Sequence, residues 1–353
     1  MLNRFIQSKC KESISCIPLS SLSGKKIAVD ISIYLYKYLS ENALLENLYL
    51  MISIFREHNI IPIFIFDGKP PIEKNGTIEL RRKTKNSARE EYYRLKQILD
   101  GLESQVNDGA TNIDEVSIEN TTTVEIDDDT YIDITTNGEE LRNAMKQLKK
   151  KFVILKHQHI QDAKSLLQAY GVTYYEAPGE ADILCANLVS KNIVYACLSE
   201  DTDMFVYGCS RVLRYLSLST SKVIMYDFHN ILTTLNMNMD EFKQMSILFG
   251  CDYSHKPITN IGASTMTIFN SYKMFTKYKD ENKITEDFYN WVIRENESLA
   301  DIIQNARKNI CLFDIHHNNS LEIYDQIKIM NGPINRSQLI DVMKKENFIF
   351  IIA

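Results

Sequence analysis

The sequence predicts an α/β fold with a mainly parallel central sheet flanked by helices. Short apolar runs such as "KKIAVD", "IIPIFIFD" and "IVYACLSED" alternate with stretches of helical spacing, as is typical of parallel strands buried on both faces. The 353 residues are 44% hydrophobic and 24% charged, which is ordinary for a globular protein with a sizeable core. We therefore expect one compact domain overall.

The N-terminal part is predicted to begin with a strand that runs directly into a helix. The strand covers residues 27–29, and residues 43–58 have helical spacing. The next strand, "IIPIFIF", is stopped by Asp67, Gly68 and two prolines, which the interior of a helix or a strand does not accept. Residues 77–102 then form a strongly basic helix.

Residues 104–138 differ sharply in composition from the rest of the chain. They contain nine Asp or Glu, no Lys or Arg, and many Asn and Thr. Such a segment cannot bury enough apolar surface to order itself, so we expect a flexible acidic insertion. It could compete with nucleic acid for its basic neighbours, or it could be an inert loop. A second basic helix, residues 139–150, follows it.

The second half of the chain returns to the α/β pattern. The helix "IQDAKSLLQAYG" closes at Gly171, and the strand "VTYYEAP", the helix "GEADILCANLVSKN" and the strand "IVYACLSED" follow. The segments "RVLRYL" and "KVIMYD" predict a β-hairpin. Residues 239–248 are predicted to be helical, and the remainder mostly helical to about residue 346.

Composition excludes several classes of protein. No run approaches the roughly 20 apolar residues that span a bilayer, and the N-terminus has no signal-peptide core, so we expect an intracellular protein without a membrane. The seven cysteines show no CxxC pairing, which favours reduced thiols over a zinc site. The net charge of −6 still leaves room for a local basic face that binds nucleic acid.

Carboxylates recur at the ends of the predicted strands and at one helix start. Since parallel strands present their carboxyl ends at one edge of the sheet, these acids should converge. Oxygen ligands without His or Cys favour a hard ion, and two such ions form a site that cuts phosphodiesters. The alternative is that each acid is only a turn residue, a helix cap or part of a solvated loop. The candidate metal ligands are Asp30, Asp67, Glu180, Asp182, Asp201, Asp203 and Asp252.

The motifs resemble those of the flap endonuclease branch of the structure-specific 5′ nucleases, relatives of XPG and exonuclease 1. They are, in order, "GKKIAVDISIYLYKYL", "IPIFIFDGKPP", "YYEAPGEADILCANL", "VYACLSEDTDMFVYG" and "LFGCDY". The resemblance implies a PIN-like 5′-nuclease fold with a helical arch and a C-terminal helical region. It also implies that all seven acids bind two Mg²⁺ ions, for which Mn²⁺ can substitute. Glu200 has no matching role, and its loss is expected to be mild.

The resemblance also implies roles for residues outside the acidic set. Lys74 and Arg81, seven residues apart and hence expected on one helix face, match cations that steer the scissile phosphate; the alternative is a solvated basic helix. Tyr36 matches an aromatic on which a base stacks, and is otherwise a core residue. The further candidate DNA contacts are Arg82, Lys149, Lys150, Ile261 and Gly262.

Four departures from the family pattern limit what is implied. The N-terminal glycine beside the family's active site is missing, and the segment between Asp30 and Asp67 is short, which puts a double-flap preference in doubt. "NIGASTM" is a degraded form of the helix–two-turn–helix motif that grips duplex DNA. The chain ends without a sliding-clamp peptide, so clamp binding is not expected.

The implied organisation has four segments within one catalytic domain. Residues 1–103 form an N-terminal nuclease region with the first arch helix, 104–138 the insertion, 139–255 an internal nuclease region, and 256–353 a helical DNA-binding region. The expected partner is branched or nicked DNA, bound by a monomer in a nucleus, or in a viral replication compartment or virion. The expected activity is cleavage near junctions of single- and double-stranded DNA, in replication, repair or recombination. The alternatives are a 5′ exonuclease, a junction resolvase, an RNA-directed enzyme, or a catalytically dead DNA-binding relative.

Overall fold

The computed structural model describes residues 2–107, 122–127, 130–134, 138–249, 267–281, 286–315 and 319–350. The strands within these ranges are β1 (Ile14–Pro18), β2 (Lys26–Asp30), β3 (Ile61–Phe66), β4 (Thr122–Asp127), β5 (Thr130–Ile134), β6 (Thr173–Glu176), β7 (Ala196–Leu198), β8 (Arg211–Ser217) and β9 (Lys222–Asp227).

The helices of the same ranges surround or follow the strands along the chain. They are α1 (Leu2–Lys9), α2 (Ser32–Ser40), α3 (Leu44–Glu57), α4 (Asn75–Asn107), α5 (Gly138–Lys151), α6 (His157–Ala169), α7 (Ala181–Ser190), α8 (Asp203–Val206), α9 (Phe228–Leu235), α10 (Met239–Phe249), α11 (Ile268–Asp280), α12 (Phe288–Glu295), α13 (Ala300–Ile310) and α14 (Arg336–Met343). The chain forms two compact units, the first comprising Met1–Tyr34, Leu45–Thr77 and Gln158–Ala353, the second Leu35–Leu44 and Ile78–His157.

The first unit contains a seven-stranded sheet in the order β1-β9-β8-β7-β2-β3-β6. The pairings from β8 through β7, β2 and β3 to β6 are parallel, and β9 pairs antiparallel with both β8 and β1. This confirms the predicted mainly parallel α/β sheet and the predicted hairpin. The strand β1 was not predicted, because its residues are mostly exposed at the sheet edge and form no apolar run.

The core of this unit explains why its central strands read as continuous apolar runs. Residues 27–29 of β2 and residues 63–66 of β3 are buried on both faces of the sheet. Each fully buried Ile, Val or Phe side chain contributes roughly 2 kcal/mol to folding. The predicted helix end at Gly171 is also present: its φ of 65° is left-handed, which favours glycine.

The second unit is built around the pairing of α4 with α5. The apolar faces of these helices pack on each other and leave their basic residues outside. The buried residues of this cluster are Ala88, Leu95, Leu99, Leu141, Ala144, Met145 and Leu148. The two basic helices predicted at residues 77–102 and 139–150 are therefore present, with α4 longer than expected at both ends.

The described part of the acidic insertion is a two-stranded antiparallel sheet. Val124 of β4 lies opposite Ile132 of β5, and the register shifts between Glu125 and Asp127. No strands were predicted here, because the prediction rested on the net charge of the segment and not on its β-branched residues. The run "TTVEIDDDTYIDI" alternates Thr, Val and Ile with acids, a composition that strands accept.

Candidate active site

Acidic residues follow three neighbouring strands of the first unit at one edge of the sheet. The strands β7, β2 and β3 are adjacent and parallel, so their carboxyl ends lie side by side. Asp30 ends β2, Asp67 directly follows β3, and Asp201 lies just beyond β7. The structure therefore brings these three predicted site residues to one edge.

The hydroxyl and amide of Ser32 join the first two of these acids. The Ser32 amide donates to Asp30 Oδ1 at 3.1 Å, and the Ser32 hydroxyl donates to Asp67 Oδ2 at 2.5 Å. The other oxygen of Asp67 accepts the Ala181 amide at 2.9 Å, at the start of α7. Asp67 is thus oriented by two elements while its side chain remains exposed to solvent.

Ser199 makes a second junction between the acids, at the end of β7. Its fully buried hydroxyl lies 3.1 Å from Asp30 Oδ2 and 3.4 Å from Asp182 Oδ1, and it accepts the Asp201 amide at 3.1 Å. Asp201 in turn accepts the Asp203 amide at 2.8 Å. One serine side chain therefore touches three of the predicted ligand positions.

Glu180 and Asp182 lie at the start of α7, as predicted. Glu180 is the N-cap residue, and its side chain makes no capping hydrogen bond. It pairs instead with Lys74, whose ammonium lies 2.7 Å from Glu180 Oε1, and both side chains are largely buried. Lys74 is not on the helix face predicted for it, because it ends a 3-10 turn, Ile72–Lys74, before α4 begins.

Gly68 fixes the approach of the β3 end to the α7 start. Its amide donates to the Gly179 carbonyl at 2.7 Å, and a Cβ at this position would lie only 2.1 Å from the Ala177 carbonyl oxygen. No side chain fits there without a backbone shift. The glycine in "FDGKPP" therefore serves the contact that orients Asp67.

Burial and mutual repulsion disfavour the charged forms of the acids. Burial, followed by the charge of Asp67, raises the pKa of Asp30 to about 7, although hydrogen bonds from Ser32 and Ser199 favour the carboxylate. The pKa of Asp182 is also raised well above its usual value, by burial first and then by the charges of Asp30 and Asp201. A nearby cation would offset this cost.

The chemistry of the donors fits a hard divalent cation, since it consists of carboxylate oxygens. Among the residues that the structure describes, no three His, Cys, Asp or Glu side chains converge closely enough to hold one ion by themselves. Magnesium is commonly held by one or two carboxylates, with water and substrate phosphate as the other ligands. The predicted ligand Asp252 lies outside the described residues.

Glu200, the remaining acid of "SEDTD", belongs to a different network. Its Oε1 accepts the amide of Tyr215, whose φ of 56° is left-handed, at 2.6 Å. Its Oε2 lies 3.6 Å from Nε of the buried Arg214, which also donates to the Glu200 carbonyl and to Asn3. The expectation of a mild loss at this position therefore holds only for metal binding, because Glu200 supports the fold.

The predicted nucleic-acid contacts of the second unit lie on its surface. The Tyr36 side chain is 40% exposed, which rules out the alternative that it is a core residue. The Lys85 ammonium lies 4.8 Å from the centre of its ring. Arg81 and Arg82 are exposed on α4, and Lys149 and Lys150 on α5. Ile261 and Gly262 lie outside the described residues.

Sequence reasoning missed both serines of the site. Ser32 and Ser199 each stand one or two positions from an aspartate, and a short hydroxyl there can bond a neighbouring carboxylate or amide. That spacing was the available signal. In the described ranges, no helix is both long and apolar enough to span a bilayer.

Two family models match this chain, and together they cover the carboxylate-bearing segments. The XPG N-terminal domain matches residues 2–88, and the XPG I-region matches residues 171–252. Among curated relatives, "Flap endonuclease 1" of Glossina morsitans morsitans is 29% identical over 327 residues, covering 85% of this chain and 75% of its own. "Probable RAD2-like endonuclease 369L" of Invertebrate iridescent virus 6 is 27% identical over 285 residues, covering 74% and 68%.

Solved structures agree on the fold. The catalytic core of Rad2 in complex with DNA substrate is similar with a TM-score of 0.60 and 18% identity, over 97% of this chain and 94% of that one. Flap endonuclease-1 from Methanococcus jannaschii gives a TM-score of 0.51 and 20% identity, over 94% and 90%. At these identities the likeness concerns the architecture alone.

Proposed function

Since the chain belongs to the XPG and flap endonuclease family of structure-specific nucleases, we propose that it hydrolyses DNA phosphodiester bonds near junctions of single- and double-stranded DNA, such as 5′ flaps. The observation that carries this proposal is the convergence of Asp30, Asp67, Asp182 and Asp201, oriented by two serine hydroxyls. The biological setting we propose is replication, repair or recombination.

The proposed cofactor is a pair of Mg²⁺ ions, replaceable by Mn²⁺. When bound, such ions lower the pKa of an attacking water and stabilise the charge that builds up on the phosphate and on the leaving oxygen. The residues proposed to hold them are Asp30, Asp67, Glu180, Asp182, Asp201, Asp203 and Asp252.

The side chains of the site prepare it in two ways. Ser32 and Ser199 donate to carboxylate oxygens and so hold the acids in one arrangement before substrate arrives. Lys74, buried against Glu180, places a positive charge beside the carboxylates, where it can attract the phosphate to be cut. Arg81 on α4 is proposed to steer the same phosphate.

The proposed DNA path uses the basic surface of the second unit. Exposed Lys and Arg attract phosphates without reading sequence, and an exposed aromatic such as Tyr36 offers a stacking face to a base. The Rad2 relative, whose solved form is a complex with DNA substrate, supports this assignment. We propose that the protein binds branched or nicked DNA as a monomer, without a sliding clamp.

A cleavage assay with Asp182→Asn tests the proposal. Asn keeps the shape of the side chain and removes its charge, and its amide can still bond the Ser199 hydroxyl, which lies 3.4 Å from the Asp182 carboxylate. With Mg²⁺ and a labelled 5′ flap, we expect the rate to fall about a hundredfold or more. Asp301→Asn, at an exposed position on α13, is the matched control. A variant that cuts as fast as the parent would refute the proposed site.

One observation favours a second substrate, the four-way DNA junction. Only residues 41–43 connect α2 to α3, so the loop that shapes a flap-binding wedge is absent from this part of the described chain. Human GEN1, solved in complex with Holliday junction DNA, is similar with a TM-score of 0.54. A panel of flap, nicked, gapped and four-way DNA, with RNA alongside, ranks these substrates. Stabilisation by Mg²⁺ without any cleavage would instead favour a catalytically dead relative.

A further inference from the structure

The second unit contains a cavity of about 560 Å³ that the proposed chemistry does not use. It lies between the turn after α2, one side chain of α4 and the last turns of α5, and we call it the basic pocket. Its lining residues are Ser40, Glu41, Asn42, Tyr92, Arg142, Met145, Lys146, Lys149 and Lys150. The volume is in the range of sites that hold a small organic ligand such as a mononucleotide.

The lining is strongly positive. Arg142, Lys146, Lys149 and Lys150 are spaced so that successive turns of α5 present them on one side, beside the buried stripe that packs on α4. Glu41 is the one acidic residue of the lining. Among the described residues, the three lysines have no ion-pair partner, so their charge is available to an anion.

The positive charge of the basic pocket comes from side chains and not from the helix backbone. The lysines occupy the C-terminal part of α5, where the helix dipole is negative and disfavours an anion. Binding of an anion here therefore depends on Lys146, Lys149 and Lys150. Replacing them removes the attraction and leaves the opposing backbone field in place, which makes substitution a sharp test.

The remaining wall of the basic pocket is apolar. Tyr92 is partly buried, with its ring edge-on to Phe152 at a centroid distance of 5.3 Å, and Met145 is buried between α4 and α5. A phenol ring beside a thioether suits the flat face of a nucleobase. Ser40 and Asn42 add hydrogen-bonding groups at the rim.

We propose that the basic pocket binds a nucleotide through a terminal phosphomonoester, with the phosphate on the lysines and the base against Tyr92 and Met145. A phosphomonoester carries a charge of about −1.5 to −2 at pH 7, more than the single charge of an internal phosphodiester, and so matches a cluster of cations better. The source of this group is the phosphorylated end of a strand or a free nucleotide. The basic pocket includes none of the proposed metal ligands and requires no metal.

Fluorescence anisotropy in EDTA tests the inference without cleavage. The probes are short single-stranded oligonucleotides with a 5′-phosphate, a 3′-phosphate or hydroxyl ends, and the competitors are deoxyadenosine monophosphate and inorganic phosphate. We expect the parent protein to bind a phosphorylated end about tenfold more tightly than a hydroxyl end, which corresponds to about 1.4 kcal/mol. Deoxyadenosine monophosphate should compete, and inorganic phosphate should compete much more weakly.

The double variant Lys146→Gln/Lys149→Gln should lose this preference. Lys222→Gln/Lys308→Gln, with the same change of charge at exposed positions of the first unit, should keep it. Equal affinity for phosphorylated and hydroxyl ends, a preference retained in the pocket variant, or equal competition by inorganic phosphate would each overturn the inference. Tighter binding of the free nucleotide than of any strand end would identify the nucleotide as the source. Because no step needs a metal or cleavage, the proposed nuclease activity and this site can fail independently.

Discussion

Replacing Asp30 by Asn should stabilise the metal-free protein at neutral and alkaline pH, although it removes a proposed metal ligand. Burial raises the pKa of Asp30 from 3.8 to about 7. A pKa difference of one corresponds to about 1.4 kcal/mol, so holding the charged form in the folded protein costs up to about 4 kcal/mol. Asn has no charge to bury and can still accept the Ser32 amide.

The direction of the pH dependence follows from the raised pKa. Below about pH 4, Asp30 is protonated in both the folded and the unfolded protein, and its contribution to stability is fully present. As the pH rises toward 7, the unfolded chain loses the proton first, and the free energy of unfolding of the parent falls. The Asn variant lacks this slope, so the two proteins should have similar stability near pH 4.5 and diverge by pH 8.

Urea unfolding in EDTA at several pH values measures this difference. The chain has one tryptophan, Trp291, which is 1% exposed and belongs to the same unit as Asp30, so its fluorescence reports the relevant transition. Asp301→Asn, at an exposed position, should leave the pH profile unchanged. If Asp30→Asn is no more stable than the parent at pH 8, burial and repulsion do not act on this carboxylate as the structure implies.

Three further substitutions separate positioning, folding and backbone roles. Ser199→Ala should lower the cleavage rate about 10- to 100-fold with little change in substrate binding, because the hydroxyl that orients the acids is lost. Glu200→Gln should lower the free energy of unfolding by about 3 kcal/mol, because Arg214 loses its charge partner, while Mg²⁺ binding is kept. Gly68→Ala should lower both stability and cleavage, because its Cβ would overlap the Ala177 carbonyl oxygen.

Matched variants serve as controls for these three. Ser246→Ala removes another buried serine hydroxyl, remote in the fold, and should not change the rate. Glu297→Gln changes an exposed acid and should not change stability. Gly101→Ala, on α4 with open space at its Cβ, should stabilise by about 1 kcal/mol. An unaltered rate in Ser199→Ala, unaltered stability in Glu200→Gln, or a Gly68→Ala protein that behaves like the parent would contradict the respective argument.

The sequence predicted the sheet because its central strands are buried on both faces and therefore form continuous apolar runs. It predicted the shared edge of Asp30, Asp67 and Asp201 for the same reason, since parallel strands end together. It could not predict β1, whose stability comes from pairing with β9 at the sheet edge and not from its own apolar content.

Contacts between distant segments were also beyond the sequence. The pairing of Lys74 with Glu180 joins residues that are far apart in the chain, and no local pattern marks one as the partner of the other. The spacing of Lys74 and Arg81 suggested one helix face, but Pro70 and Pro71 delay the helix start by a short 3-10 turn. Glu200 looked like a bystander because its partner Arg214 lies on β8.

The parallel pairing of β3 with β6 has a consequence for how the chain folds and varies in length. Ile63 lies opposite Thr173, so this pairing closes a chain loop that contains α4, the acidic insertion and α5. The entropy of closing a flexible loop grows only logarithmically, at about 0.6 kcal/mol for each doubling of its length. Lengthening or shortening the insertion therefore changes the stability of the sheet very little. Its main effect is on the folding rate, because β3 must wait for a strand more than a hundred residues away.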